Sequence, residues 1–197
     1  MNYLFFNLLT LLFFNISNTS PTYRIGDVVN GGVVFWLENN FDSGQHGLVM
    51  AFSDAATGVE WGCLGSDLPS VPNVVYKGSG DPTPNGNGAY MGDGEGNTNN
   101  ILSDCPNAQA ALAARSLGSE WFLPSIGELK LIYLQMYYYK TKIEAVEGFS
   151  PFSNNYYWSS TEISANNAWF KNFANGAEYD INLSKGIEGS VRAVKRF

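Results

Sequence analysis

Few residues of this 197-residue chain have both the type and the setting that catalysis requires. The chain contains one histidine, His46, and an acid–base triad would need it as the base. His46 stands in GQHGLV, at a turn that enters a predicted strand, and no nucleophile-elbow motif lies near it. Glycine-rich nucleotide-binding loops, H-E-x-x-H and C-x-x-C do not occur. These observations favour a binding protein over an enzyme.

Hard oxygen donors are concentrated in the segment GDGEGNTNN, residues 92–100. Asp93, Glu95 and Asn97 are ligand types that Ca²⁺ accepts on a flexible backbone. The segment lacks the EF-hand spacing, because no glutamate stands at the twelfth position of the loop. The alternative interpretation is a solvated loop rich in glycine and asparagine. We expect no cofactor, and calcium at these three residues is the alternative.

The chain contains two cysteines, Cys63 and Cys105. In an exported protein an even pair predicts one disulfide. The bond would close a long loop, which the chain-entropy model values at roughly 3–5 kcal/mol. Two free buried thiols, or a copper-binding or thiol catalytic pair, are the alternatives.

Aromatic and asparagine side chains are combined in NNYYWSSTEISANNAWFKNFANG, residues 154–176. The period of a strand places Trp169, Lys171 and Phe173 on one face and the intervening residues on the other. Core packing absorbs one aromatic face, so aromatics on both faces indicate a binding surface rich in Tyr, Trp, Asn and Ser. The alternative is a sheet that the long loop and the helices cover on both sides.

We predict that the ligand face comprises six residues of this C-terminal region, with two cations as anion contacts. The predicted contacts are Tyr157, Asn166, Asn167, Phe170, Asn172 and Tyr179, and the cations are Lys171 and Arg192. The mechanism would be binding without chemistry, in which rings stack on a sugar or protein surface and amides add hydrogen bonds.

Charge and the N-terminal residues limit the partners and the location. The net charge of -7 argues against nucleic acid, whose phosphates require a basic face. Leu4–Ile16 is an apolar run followed by small polar residues, and it is shorter than the roughly 20 residues of a membrane span. We predict a signal peptide over residues 1–20 and a secreted or surface-displayed protein. An uncleaved N-terminal membrane anchor is the alternative.

Turn residues, helix caps and periodicity predict the elements that position these residues. Two strands surround Asn30-Gly31, and a third covers Leu48–Phe52. An irregular loop is predicted over 62–104, then a helix capped by Asp104 and a second helix that starts at a capping box of Ser125 and Glu128. The closing strands are predicted at Tyr156–Ser160, Ala168–Phe173, Glu178–Ile181 and SVRAVKRF. This order predicts an α+β fold, with helices segregated from an antiparallel sheet.

Seven segments in order carry a resemblance to a known family. They are GDVVNGGVVFWL, GQHGLVMAFSD, WGC with Cys105 downstream, WFLPSIGELKLIY, NNYYWSSTE, AWFKNFANG and VRAVKRF. Over residues 24–197 the chain resembles the Lcl C-terminal domain family, the C-terminal domain of a bacterial collagen-like adhesin. The resemblance implies a C-type-lectin-like fold, with two helices packed on antiparallel sheets, and surface display.

The same resemblance implies several functions, and the chain departs from the family in ways that bear on them. The adhesin domain binds sulfated glycosaminoglycans as a trimer beneath a collagen-like stem, whereas this chain has no collagen-like repeat and is acidic overall. The sugar-binding motifs E-P-N and W-N-D are absent. We predict a surface binding or adhesion module for a glycan or protein ligand. The alternatives are a structural subunit of an extracellular assembly, with homo-oligomers, a variable receptor of a diversity-generating retroelement, and an enzyme of the sulfatase-modifying kind.

Overall fold

The computed structural model describes residues 22–38, 45–75, 86–175 and 183–197. Within these ranges the chain forms eight strands and four helices. In chain order they are β1 (Val28–Val29), β2 (Gly32–Leu37), β3 (Gly47–Met50), β4 (Ala56–Val59), α1 (Gly94–Asp104), α2 (Gln109–Arg115), α3 (Ile126–Tyr138), α4 (Lys140–Glu144), β5 (Tyr156–Glu162), β6 (Ala168–Asn172), β7 (Gly189–Val191) and β8 (Val194–Arg196). The predicted α+β class is confirmed. The predicted signal peptide over residues 1–20 lies outside the described residues.

The first sheet has the strand order β1-β2-β3-β8, and all of its pairs are antiparallel. Asn30 and Gly31 connect β1 to β2 with φ angles of 49° and 80°. This left-handed turn is the one that an Asn-Gly pair favours in a hairpin, so the predicted hairpin is confirmed. The last strand, β8, pairs with β3 and so joins the C-terminal residues to the N-terminal half of the domain.

The second sheet has the strand order β4-β7-β5-β6. Its β5–β6 and β4–β7 pairs are antiparallel, but β5 and β7 run parallel, with Tyr157 opposite Ser190. The expectation of an antiparallel sheet is therefore wrong for this pair. Because β5 lies between β7 and β6, it is an interior strand of the sheet. This position determines whether the predicted ligand contacts on β5 are exposed.

The helices confirm one predicted helix start, correct a second, and replace part of the predicted loop. Ser125 and Glu128 form the reciprocal capping box of α3. The helix predicted to begin at Asp104 begins at Gln109, and Asp104 is instead the last residue of α1. The irregular loop predicted over 62–104 is wrong for its last eleven residues, which are helical. Packing of α1 against β5 stabilises this helix, although its sequence is rich in glycine and asparagine, which have low helix propensity.

Cys63 and Cys105 form a disulfide that joins the segment after β4 to the end of α1. Their Cα atoms are 6.4 Å apart, and the bond spans 42 residues of sequence. The predicted disulfide is confirmed. The rings of Tyr23 and Phe197 meet edge to face with centroids 5.4 Å apart, so the two ends of the described chain lie side by side.

In the part of the chain that the structure describes, no helix combines the length and the apolar character needed to cross a bilayer.

Candidate functional site

Four of the eight predicted ligand contacts lie in the protein interior. Tyr157, Phe170, Lys171 and Arg192 each expose no more than 4% of their surface. The prediction that they contact an external ligand is therefore wrong. For Tyr157 the physical reason is the position of β5, whose residues are buried on both faces from Tyr157 to Glu162, as a strand covered on both sides must be. The neighbouring β6, which carries Phe170 and Lys171, is buried as well.

Three of the other four predicted contacts lie within the described residues. Asn166 is exposed, and Asn167 is half-buried and forms a bridge with Ser184. Asn172 is half-buried, and its side-chain oxygen accepts a hydrogen bond from the Ala174 backbone at 2.8 Å. Tyr179 lies outside the described residues, as does the strand predicted at Glu178–Ile181.

Arg192 organises a buried polar network beneath the second sheet. Its guanidinium donates to Asp54 at 2.8 Å and to the backbone carbonyls of Ala51 and Ser150 at 3.2 and 2.9 Å. The Tyr157 hydroxyl donates to the other carboxylate oxygen of Asp54 at 2.9 Å. Burial raises the pKa of Tyr157, so the phenol stays protonated and keeps this donor role.

This network supports a stack of aromatic rings. The Arg192 guanidinium lies 4.1 Å from the ring centroid of Phe152, and Phe173 stacks on the same ring at 4.2 Å with an interplanar angle of 7°. Two groups this close to one centroid occupy its opposite faces, so Phe152 is held between a cation and a ring. Tyr157 packs obliquely against both phenylalanines, at 5.0 and 4.8 Å. Two residues predicted as ligand contacts thus position other aromatics.

The outer side of this stack lines an open cleft of about 410 Å³, which we call the aromatic cleft. Its size is within the range of small-molecule sites, roughly 300–1,000 Å³. Helix α3, helix α4, the segment after α4 and the end of β6 each contribute residues. The lining residues are Tyr133, Met136, Tyr137, Lys140, Glu144, Phe152, Asn154 and Phe173.

Helical spacing explains how α3 and α4 present one wall of the aromatic cleft. Tyr133, Met136 and Tyr137 are related by i, i+3 and i+4 and share one face of α3. Lys140 and Glu144 are four residues apart on α4, and their charged groups are 3.8 Å apart. The cleft is therefore built from rings and a thioether inside, with a charged pair at its rim.

Two adjacent tyrosines at the end of α3 differ in their relation to the cleft. Tyr137 is 75% exposed and lines the cleft, whereas Tyr138 is 71% exposed and does not line it. The cost of exposing large rings to water marks such residues as candidates for contact with a partner. The run of three tyrosines, Tyr137–Tyr139, was the available signal in the sequence, and the predicted ligand face did not include it.

The three calcium candidates are engaged in contacts within the protein. The Asp93 carboxylate accepts from the backbone of Gly88 and Tyr90, at 2.7 and 2.9 Å. Glu95 forms an ion pair with Arg196, and the buried Asn97 amide donates to Gly88 and to Ser160. Within the described ranges, no group of three or more His, Cys, Asp or Glu residues is arranged to hold a metal ion. Calcium binding by these residues has no geometric support.

A buried carboxylate joins the starts of two helices near this segment. Glu128 accepts hydrogen bonds from the backbone of Ser125 at 2.8 Å and of Gly92 at 2.9 Å. Burial raises the pKa of Glu128 to about 7, and these donations oppose the shift without cancelling it. The residue acts as a structural tie between the turn before α1 and the first turn of α3.

No known protein-family model matches this chain, and no curated protein matches it. Among solved structures, the chain is similar to a fimbrial protein from Bacteroides ovatus ATCC 8483, with a TM-score of 0.62 and 18% sequence identity. The match covers 92% of this chain and 46% of that chain, so this chain spans less than half the length of the fimbrial protein. At this identity the similarity establishes a shared fold, and the resemblance to the Lcl C-terminal domain stays a prediction.

Proposed function

We propose that this chain is a surface-displayed binding and adhesion module of C-type-lectin-like fold, which holds its ligand in the aromatic cleft and performs no catalysis. The observation that carries the proposal is the cleft itself, an open concavity with aromatic walls and a polar rim. Ligand sites of soluble proteins combine these two features, because apolar walls supply area and a few polar groups supply orientation.

The rigidity of the cleft floor supports a binding role. Phe152 and Phe173 are stacked, and Arg192 holds Phe152 from below through its ion pair with Asp54. A floor already fixed in this way loses little conformational entropy when a ligand arrives. The exposed ring of Tyr137 stands beside this floor, so a ligand would lie between a fixed surface and an accessible one.

The absence of catalysis is supported by the groups that line the cleft. Its described lining contains one carboxylate, Glu144, and one ammonium, Lys140, and includes no serine, threonine, cysteine or histidine. The enzyme alternative requires the thiols of Cys63 and Cys105, and these are bonded to each other. A lining of this composition suits the binding of a ligand.

Surface display is supported by the fold and by the disulfide. The similar solved structure is titled a fimbrial protein, and fimbriae are extracellular assemblies. Disulfides such as Cys63–Cys105 persist in oxidising compartments outside the cytosol. A glycan or a surface protein is the partner that fits this location.

Adhesion of coated beads tests the proposal. The full chain is exported by an expression host, purified, coupled to beads and presented to epithelial cells and to immobilised matrix proteins. We expect beads that carry the wild-type chain to adhere and beads that carry Tyr137→Ala to lose most of that adhesion. Tyr90→Ala is the control, because this ring is also exposed but lies beside the start of α3, outside the cleft. Equal adhesion of all three proteins would refute the cleft as the ligand site.

A structural subunit of an extracellular assembly is the second candidate, and the fimbrial title of the similar structure favours it. In that case the partner in the cleft is another subunit. Sedimentation of the full chain over a wide concentration range separates the two candidates. A mass that rises with concentration, and falls back to the monomer in Tyr137→Ala, would favour assembly over adhesion.

A further inference from the structure

We infer that the occupant of the aromatic cleft is a single pyranose ring of a glycan, held by ring stacking and hydrogen bonds without calcium. This inference rests on the proposed function and names the ligand class for the same site. Four features of the cleft carry it: the arrangement of its rings, the chemistry of its rim, its size and shape, and its content of oxygen ligands.

The rings of the cleft suit a flat, C–H-bearing surface. Aromatic faces carry partial negative charge, and the C–H groups on one side of a pyranose carry partial positive charge, so the two attract in a stacked arrangement. Phe152 already has both faces covered, by Arg192 and by Phe173. Tyr137 is three-quarters exposed, and the Tyr138 ring meets it at right angles with centroids 5.1 Å apart. A contact of this geometry covers at most one face of Tyr137, so this ring is the one best able to offer a face to a sugar.

The rim of the cleft suits hydroxyl groups. Lys140 offers N–H donors, Glu144 offers carboxylate acceptors, and Asn154 offers both. A sugar hydroxyl both donates and accepts, so adjacent hydroxyls can use a donor and an acceptor that stand 3.8 Å apart, as Lys140 and Glu144 do. An apolar peptide side chain would fill the cleft but leave these three polar groups without use.

The size and the concave shape of the cleft also favour one ring over a protein surface. Standard protein interfaces bury about 800 Å² on each partner and are broad. A cleft of about 410 Å³ instead surrounds a small ligand on several sides. A terminal sugar of a branched glycan presents one ring of this kind at the end of a chain.

Calcium has no place in this mode of binding. A calcium ion takes six to eight oxygen ligands, of which carboxylates supply the charge. Glu144 is the one carboxylate in the described lining, and the ammonium of Lys140 lies beside it. A cation there would be repelled by Lys140 and left short of ligands, so chelation should not affect binding.

Saturation-transfer NMR on the full chain tests the inference with methyl glycosides of glucose, galactose, mannose, fucose and N-acetylglucosamine at millimolar concentration. We expect transfer to the C–H protons of at least one glycoside, unchanged by EDTA. Tyr137→Ala should weaken the binding of that glycoside by about tenfold, the effect of losing one stacked ring. Tyr137→Phe, which keeps the ring, and Tyr90→Ala, which lies outside the cleft, should both retain binding.

The outcomes separate this inference from the proposed function. No transfer from any glycoside, loss of transfer in EDTA, or full transfer in Tyr137→Ala would overturn the pyranose inference. If those results accompany bead adhesion that still depends on Tyr137, the cleft binds a ligand of another class and the proposed function stands. Retained urea midpoints in the variants ensure that a lost signal reports the cleft rather than unfolding.

Discussion

The buried ion pair of Lys185 and Glu162 offers a sharp test of the structure. Both side chains are fully buried, and the ammonium donates to the carboxylate and, at 2.9 Å, to the backbone carbonyl of Ser66. The same ammonium lies 4.6 Å from the ring centroid of Trp61. The substitution Lys185→Met keeps the aliphatic volume and removes the charge, so it leaves the carboxylate of Glu162 without its cation.

The expected cost is about 3–5 kcal/mol at pH 7, the range for removing one partner of a buried pair. Burial already raises the pKa of Glu162, and the ammonium of Lys185 opposes this shift. Removing that ammonium in Lys185→Met should therefore raise the pKa of Glu162 further. Because the pKa of Glu162 is higher in the folded protein than in the unfolded chain, this carboxyl stabilises the fold fully below its ordinary pKa of 4.5. That contribution to the free energy of unfolding is lost as the pH rises. The cost of Lys185→Met should therefore shrink at pH 4.

Urea unfolding of the full chain at pH 4 and pH 7 measures these free energies. The double variant Glu162→Gln with Lys185→Met removes both charges and should recover at least half of the loss. Lys140→Met, which breaks the exposed pair with Glu144, is the matched control and should cost about 0.5 kcal/mol or less. A cost of Lys185→Met that matches this control, or that is the same at both pH values, would refute the buried pair.

Three further predictions concern other parts of the same structure. Replacing Cys63 and Cys105 by serine should lower the free energy of unfolding by about 4 kcal/mol, because the disulfide closes a loop of 42 residues. An unchanged urea midpoint would contradict this prediction. The free energy of unfolding of the wild type should fall by about 3 kcal/mol between pH 4 and pH 8 as Glu128 ionises with a pKa of about 7. Glu128→Gln should abolish this fall in the same titration. Arg192→Lys keeps the charge but loses the contacts of the planar guanidinium with Asp54 and Phe152. It should lower the free energy of unfolding in urea by about 2 kcal/mol and shift the ring resonances of Phe152. Unshifted resonances would argue against the stack.

Local signals predicted the parts of the fold that depend on a few neighbouring residues. The Asn30-Gly31 turn and the Ser125–Glu128 capping box each satisfy their own backbone groups, so no distant contact is needed to form them. The α1 helix was missed because its glycines and asparagines favour a loop. It is stabilised by packing against β5 and by the hydrogen bond that Thr98 donates to the distant carbonyl of Leu123, and sequence spacing reveals neither contact.

The predicted contacts and the aromatic cleft both lie in the C-terminal half of the chain, but none of the described contacts lines the cleft. Alternation along β5 indicated two aromatic faces, and the choice between surface and core depended on what covers them. Helices α1 and α3 both pack on β5, so both faces are interior. Tyr157 and Arg192 retain a role as supports of the cleft floor, whereas Tyr137, which lies outside any strand, provides the exposed ring.

The contact between Tyr23 and Phe197 has a mechanical consequence. Any longer chain that enters at Tyr23 and leaves at Phe197 passes through one corner of the domain, as adjacent termini allow. Tension along such a chain would act across that corner alone, between β8 and the residues near β1. Arg192, which supports the floor of the aromatic cleft, lies two residues before β8, so the strand that bears the tension is also connected to the cleft.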